Sequence, residues 1–343
     1  MAAPIRSELA FESGNERLVG DLVTPAGQED FPTVVFLAGT GAIDRYQRGV
    51  LPDGRIRHSR PQGWLADGLA RAGVALFAWD KRGVGASTGG NRRPADPPGD
   101  RDSHASVQTD VDDALAALEA VSRLPQVNER RITVMGHSAG VYFASLLAAR
   151  TDLPAGYVLW GGVHRGIVEL MDFIYGQAID YASRGPEEYA FIQKHSPAIY
   201  ATGLRRSEIV EAARRGDVAF RWEHDGTEHV QHLARLSQEI AWPLGDQFKN
   251  VRKPVLVIHG DRDLNVPCDD AFEIMAELQS AGNDEATLVI VSGADHGMRV
   301  APRNLDAETR MRERLSFYKG HPVSAFFMHA ITGWLLDQAL LDG

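Results

Sequence analysis

What this 343-residue chain has little of narrows it first. It contains one cysteine, Cys268, so no internal disulfide can form, and such usage fits a reducing compartment. No window approaches the roughly 18 uncharged apolar residues that a membrane-spanning helix needs. The opening residues, Met1 to Glu8, lack the apolar core of a signal peptide, so a cytoplasmic protein is expected. Basic charge is in deficit: 36 Lys and Arg face 46 Asp and Glu, a net charge of −10. That argues against nucleic acid and anionic membranes, which both reward Lys/Arg patches. There is no His-Glu-x-x-His pattern and no Cys-rich spacing, so neither a metal nor any other cofactor is expected. Internal repeats and low-complexity tracts are missing as well.

What is present is an alternation of buried strands and helices. Glu8–Glu12 and Leu18–Val23 read as a hairpin around Ser13-Gly14-Asn15. Residues 32–37 form a strand apolar on both faces, as expected when helices cover both sides of a sheet. A polar loop follows over 43–61, then a helix over 63–72, a strand over 74–79, a loop over 88–101 and a helix over 106–121. Strands at 131–135 and 156–162 flank a helix beginning after Ser138. This order predicts a parallel sheet with right-handed crossovers. From His164 to Gln247 no strand-like run is evident, and the segment reads as a helical insertion. The α/β pattern resumes with a strand at 254–260, a helix at 269–281, a strand at 286–291 and a last helix at 326–341.

One stretch organises the rest. The run Ile132-Thr133-Val134-Met135 leads into Gly136-His137-Ser138-Ala139-Gly140, and a helical pattern follows directly. Strand, sharp turn and helix are the context in which Gly-x-Ser-x-Gly lifts a serine hydroxyl above a sheet edge. Ligands bind beyond the carboxyl ends of strands in doubly wound sheets. Asp261-Arg262-Asp263 follows a second strand end and Asp295-His296 a third. A serine needs a base within hydrogen-bond reach, and the base needs a carboxylate to fix its tautomer.

With those residues in place, the sequence resembles the α/β-hydrolase superfamily, in its capped, serine esterase-like branch (dienelactone-hydrolase and serine-aminopeptidase relatives). The matching pieces are Gly136 to Gly140, Gly260-Asp261-Arg262-Asp263-Leu264-Asn265-Val266-Pro267, Gly293-Ala294-Asp295-His296, and the turn Asp80-Lys81-Arg82-Gly83-Val84-Gly85-Ala86-Ser87. The resemblance implies an α/β fold: a mostly parallel, doubly wound sheet of the α/β-hydrolase type with an inserted all-helical cap. The core would be 1–163 with 248–343, and the cap 164–247. It implies Ser138 as nucleophile, Asp263 as acid and His296 as base. Asp263 rather than Asp261 has the family's spacing before Val266-Pro267. The oxyanion donors would be the backbone N–H groups of Ala139 and Thr40. Relatives usually carry His-Gly where this chain has Ala38-Gly39, so the supporting contacts of that loop must differ. Gly39, Gly41, His137 and Trp160 are expected to border the substrate.

Other polar residues read more simply. Asp80, Arg82 and Ser87 are expected to tie a turn, and Asp44-Arg45 to brace a loop, with contact between Arg45 and an acidic substrate as the lesser reading. Cys268 opens a helix as an inert thiol. His229 and His232, three apart on an expected helix, belong to a solvated face rather than a metal site. The aromatics of the insertion are expected to build its own core and part of an apolar pocket. A small-molecule substrate, medium-sized and partly hydrophobic, is therefore expected. Nucleic acid and membrane partners are not, and a homodimer is compatible with the sequence. The reaction expected is hydrolysis of a carboxylic ester or thioester through an acyl-enzyme. The alternatives are C–C or amide cleavage, or cofactor-free addition or cyclisation, on the same fold, and last a binding protein without catalysis.

Overall fold

A computed structural model describes residues 3–50, 56–57, 63–89, 106–318 and 320–341. The loops expected over 43–61 and 88–101 fall partly outside the described residues. At the start of the chain β1 (Ile5–Ser13) and β2 (Glu16–Thr24) pair antiparallel as a hairpin. Then come β3 (Phe31–Leu37), α1 (Gly63–Arg71), β4 (Ala75–Trp79), α2 (Val107–Ser122), β5 (Val127–His137), α3 (Ala139–Ala148) and β6 (Gly156–Trp160). An insertion follows: α4 (Ile167–Ala182), α5 (Pro186–His195), α6 (Pro197–Arg215), β7 (Ala219–His224), β8 (Thr227–His232) and α7 (Ala234–Ala241). The chain ends with β9 (Val255–Gly260), α8 (Asp269–Ser280), β10 (Ala286–Val291), α9 (Ala307–Leu315) and α10 (Ala325–Leu341).

Eight strands form one sheet in the order β1-β2-β4-β3-β5-β6-β9-β10. From β4 to β10 every neighbouring pair is parallel, and β2 meets β4 antiparallel. This is the mostly parallel α/β-hydrolase arrangement. Every residue of β3, β4 and β6 is buried, because both sheet faces are covered. On one face Val111, Leu118, Val141, Leu147 and Ile274 of α2, α3 and α8 pack against alternate strand residues. On the other, Leu65 and Leu69 of α1 meet Phe327, Ile331 and Leu335 of α10. The helix α2 starts where a capping box allows it: Ser106 Oγ accepts from Thr109 N–H, and Thr109 Oγ1 accepts from Ser106 N–H.

The insertion departs from the sequence expectation of an all-helical segment, because β7 and β8 form a hairpin. Asp225 (φ +48°) and Gly226 (φ +72°) turn it, the positive-φ pair that a tight hairpin needs. His229 and His232 therefore lie on a strand rather than a helix, with His229 stacked on Trp222. No His/Cys/Asp/Glu cluster among the described residues suits a metal. The helix α9 was not anticipated by periodicity. It packs Leu315 and Met311 against Tyr181 and Ile192 of α4 and α5, and Asp306 caps it by accepting from Thr309 N–H. Among the described residues no helix is long and apolar enough to cross a membrane.

Beside the loop after β3, the turn after β4 carries a buried charge network. Arg45 bonds Asp80 through its backbone N–H (2.8 Å), Nε (3.2 Å) and Nη2 (3.0 Å), and it bonds Asp21 at 2.6 Å and Glu8 at 3.0 Å. The side chain braces the loop, as expected of the Asp44-Arg45 pair. Asp80 also accepts from Ala86 N–H (2.9 Å), while Ser87 Oγ donates to Asp80 O and accepts from Val19 N–H. Arg82 pairs with Asp113 at 2.6 Å. Asp80→Ala removes the acceptor of three hydrogen bonds from Arg45 and one from Ala86 and should cost about 3–5 kcal/mol, the usual penalty for breaking a buried pair from one side. Urea unfolding of the variant measures it.

Candidate active site

Residues 136–140 pass from β5 into α3 through a strained turn. Ser138 has φ +58° and ψ −125°, rare for a residue with a side chain. Its neighbours allow the turn only by lacking Cβ atoms. One on Gly136 would lie 2.3 Å from the Gly140 carbonyl oxygen, and one on Gly140 would lie 2.1 Å from that of Leu37. Ser138 N–H donates to Trp160 O at 2.9 Å, which ties the turn to the end of β6. Ser138 is half-buried at the N-terminus of α3, where unpaired backbone N–H groups and the helix dipole favour negative charge.

Two strands further along the sheet, β9 delivers Asp263, and β10 beside it delivers His296. Asp263 Oδ2 lies 2.6 Å from His296 Nδ1. Its other oxygen accepts from the N–H groups of Asn265 (2.7 Å) and Val266 (2.9 Å). A second imidazole reaches the same carboxylate: His259 Nε2 is 3.2 Å from Asp263 Oδ2 and 3.1 Å from Val266 O. Both neighbours are acceptors, so that nitrogen carries the proton. Sequence reasoning missed His259, although it precedes Gly260 at the strand end. Burial alone would favour the neutral acid at Asp263. The charge of His296 and the hydrogen bonds from His259 and His296 outweigh it and hold the carboxyl far below the usual range. At His259 burial opposes the charged form, yet the bond to Asp263 prevails and raises its pKa. Gly161 (φ +60°) leaves room for the His296 ring, since a Cβ there would sit 3.2 Å from its Cε1 and Nδ1.

The loop after β3 lies against the serine: a Cβ on Gly39 would be 3.0 Å from Ser138 Cβ and 3.5 Å from its Oγ. Lys81, which pairs with Asp110 at 3.1 Å, donates from Nζ to Gly39 O at 2.8 Å. This lysine ties the loop after β3 to the turn after β4. Across a trans peptide the N–H of Thr40 points away from that carbonyl, and Thr40 itself is exposed. Gly41 (φ +103°) has only the tip of Ile43 near its Cβ direction. His137 and Trp160, expected beside the substrate, lie beneath the elbow instead, 2% and 1% exposed. Their ring centroids lie 4.2 Å apart with the planes tilted by 44°, and His137 Nε2 lies 3.1 Å from His296 O, so they support the site from within the core. Asp261 accepts from Gly293 N–H at 2.6 Å and joins the two loops. The Cys268 thiol is pushed up to about 11, first by burial and then by nearby carboxylates, and stays protonated at neutral pH.

Beside His296 opens a pocket continuous with solvent. Leu264 and Asn265 line it from the Asp263 loop, and Glu313, Arg314 and Phe317 from α9 and the turn after it. His296 is on its wall; Ser138 is not.

The family model Hydrolase_4, described as serine aminopeptidase, S33, matches residues 49–300. No curated protein sequence matches significantly. Among solved structures, Est1E from Butyrivibrio proteoclasticus with ferulic acid bound is 16% identical, with a TM-score of 0.57 over 97% of this chain and 99% of that one. An esterase of Pyrococcus furiosus is 15% identical, with a TM-score of 0.56 over 98% and 91%. The acylaminoacyl peptidase of Pyrococcus horikoshii is 17% identical, with a TM-score of 0.52 over 92% of this chain but 40% of its own. At these identities the likeness is one of fold.

A pH consequence follows from Asp263. Its pKa is depressed in the folded state, so the ionised carboxylate contributes stability that is complete above the unfolded value of about 3.9. That contribution is lost as pH falls below this value toward the folded one. His259→Leu removes one of the groups that depress the pKa, so the acid-unfolding midpoint should move to higher pH. Tryptophan fluorescence followed from pH 7 to pH 2 reports it.

Proposed function

Because this chain belongs to the serine aminopeptidase S33 family of α/β hydrolases, we propose that it cleaves a carboxylic ester or thioester through an acyl-enzyme on Ser138. The single observation that carries this reading is the short Asp263–His296 contact of 2.6 Å, placed at the same sheet edge as a serine held on a strained, glycine-flanked turn. His296 takes the proton of Ser138 Oγ as that oxygen attacks the carbonyl carbon, and Asp263 stabilises the imidazolium. The carbonyl oxygen becomes an oxyanion facing the N–H groups of Ala139 and Thr40. His296 then passes its proton to the leaving group and the C–O or C–S bond breaks. Water, deprotonated by His296, attacks the acyl-enzyme; the acyl–Oγ bond breaks, His296 returns the proton to Ser138 Oγ, and the acid is released. His259 acts as a positioning residue, holding the same Asp263 oxygen that His296 contacts.

Residues 164–247 serve as a cap over the sheet's carboxyl edge. Gln177 of α4 donates to Leu264 O at 3.2 Å, next to Asp263, which brings the insertion to the site. The cap's aromatics favour a medium-sized, partly hydrophobic substrate, and excluding water there strengthens the electrostatics of the triad. Amide cleavage by the same steps is the second reading, favoured by the aminopeptidase name of the matched family.

Ser138→Ala should abolish hydrolysis of p-nitrophenyl butyrate, by about 10⁶-fold if the triad acts as a unit. A fluorophosphonate should label the native enzyme at Ser138 and leave the variant unlabelled; full activity in the variant overturns the reading. Lys81→Met frees the Gly39 carbonyl and misaims the Thr40 N–H. It should lower kcat toward the roughly 10²–10³-fold loss of one oxyanion donor, with KM little changed. Parallel assays on a p-nitroanilide separate the ester from the amide reading.

A further inference from the structure

The pocket beside His296 has a charge opposite to that of the chain. Its wall carries four arginines, Arg262, Arg299, Arg310 and Arg314, against two carboxylates, Asp295 and Glu313. Both carboxylates are already engaged. Glu313 meets His321 at 2.9 Å, and Asp295 accepts from the N–H groups of Gly297 and Arg299 at 2.8 Å each. A protein of net charge −10 therefore keeps a surplus of positive charge at this one wall.

Arg314 is the unusual member. Its Nη2 donates to Ile174 O at 3.3 Å, which holds α9 to α4. Its Nε and Nη1 are buried and have no hydrogen-bond partner among the described residues, and the same is true of Arg262 Nη1. An ionised group taken out of water without a partner is costly. Bracing two helices needs one donor, and one is all that Ile174 uses. Burial lowers the Arg314 pKa to about 10, so the guanidinium is still charged at neutral pH. Donors left in this state are explained by an anion that arrives with the ligand.

We propose that this pocket binds the leaving-group half of the substrate, and that this half carries a carboxylate held by Arg314 and Arg262. The assignment to the leaving group rests on the acyl-enzyme reading above. In that mechanism His296 hands its proton to the departing oxygen or nitrogen, so the departing half lies on the His296 side of Ser138, and His296 is the triad member on the pocket wall. A carboxylate fits better than a phosphate dianion, because Asp295 and Glu313 share the wall and leave a surplus suited to one negative charge. The substrate class is thus an ester of a hydroxy acid or an amide of an amino acid, with an uncharged acyl half.

Two esters isolate the effect: 4-butyryloxybenzoate and 4-butyryloxybenzamide. They give the same acyl-enzyme, so the ratio of their kcat/KM values, divided by the ratio of their uncatalysed hydrolysis rates, reads the charge on the departing half. The native enzyme should prefer the benzoate by about 10–100-fold, the range of one hydrogen-bonded charge. Arg314→Met should bring the ratio close to one, and Arg314→Lys should leave part of it. Equal values in the native enzyme, or a ratio that survives Arg314→Met, overturns the proposal. Should α9 fail to fold in that variant, Arg262→Gln gives the second reading, where a several-fold fall in the ratio is expected and an unchanged ratio counts against it. Failure of the serine mechanism looks different: neither ester is cleaved and no fluorophosphonate adduct forms. In that case 4-hydroxybenzoate is titrated calorimetrically into Ser138→Ala protein. Binding that the added Arg314→Met change removes upholds the anion site, and absence of binding overturns it.

Discussion

A single buried carboxylate holds the site together. Asp263 accepts from two imidazoles and two backbone N–H groups, and each donor comes with a piece of structure attached. His296 brings the loop after β10, His259 the end of β9, and Asn265 and Val266 the turn that leads to α8. An ionised group at zero side-chain exposure is tolerable only because every lone pair is used. The result is a carboxylate whose position and charge are both fixed, on which the proposed nucleophile Ser138, two strands away, would rely. Ser138 is fixed by a different means, namely steric exclusion: the turn closes because Gly136 and Gly140 have nothing to collide with Gly140 O and Leu37 O.

Much of this was legible in the sequence, and the reasons are specific. Fully buried parallel strands write themselves as continuous β-branched runs, so β3, β4, β5, β6 and β9 stand out. The glycines around Ser138 and the pair Asp263 and His296 each follow such a run, which is why their shared edge was foreseeable. The hairpin β7–β8 was less visible, although Phe220 and Trp222 alternate with Arg221 and Glu223 and the Asp225-Gly226 turn is present. Flanking helices and the spacing of Val230, Leu233 and Leu236 masked a period of two with one near 3.6. The helix α9 was hidden for another reason. It is short and rich in Arg and Glu, and only Leu315 is fully buried, so its periodicity carries little signal.

Positions along the chain also say little about depth. His137 and Trp160 sit next to the site in sequence yet beneath it in space, because strand residues alternate between faces and the elbow turns only Ser138 outward. His259 and Lys81 are the converse: their roles come from partners 4 and 42 residues away, Asp263 and Gly39. The arginine wall shows the same limit. Arg262, Arg299 and Arg314 come from two separate loops and a helix end, and no spacing in the sequence announces that they converge.

The Arg45 network gives the N-terminal hairpin an unexpected standing. Through Glu8 of β1 and Asp21 of β2 it grips the loop that begins at Gly39, while Lys81, next to Asp80, grips the same loop from the other side. The hairpin is the outermost, antiparallel edge of the sheet, the part a designer would treat as expendable trim. It is instead an anchor for the Gly39–Thr40 peptide, proposed above as an oxyanion donor, which lies several strands inward. Anything joined to or cut from the first strand of this protein is transmitted, by charge pairs rather than by packing, to the geometry of that peptide.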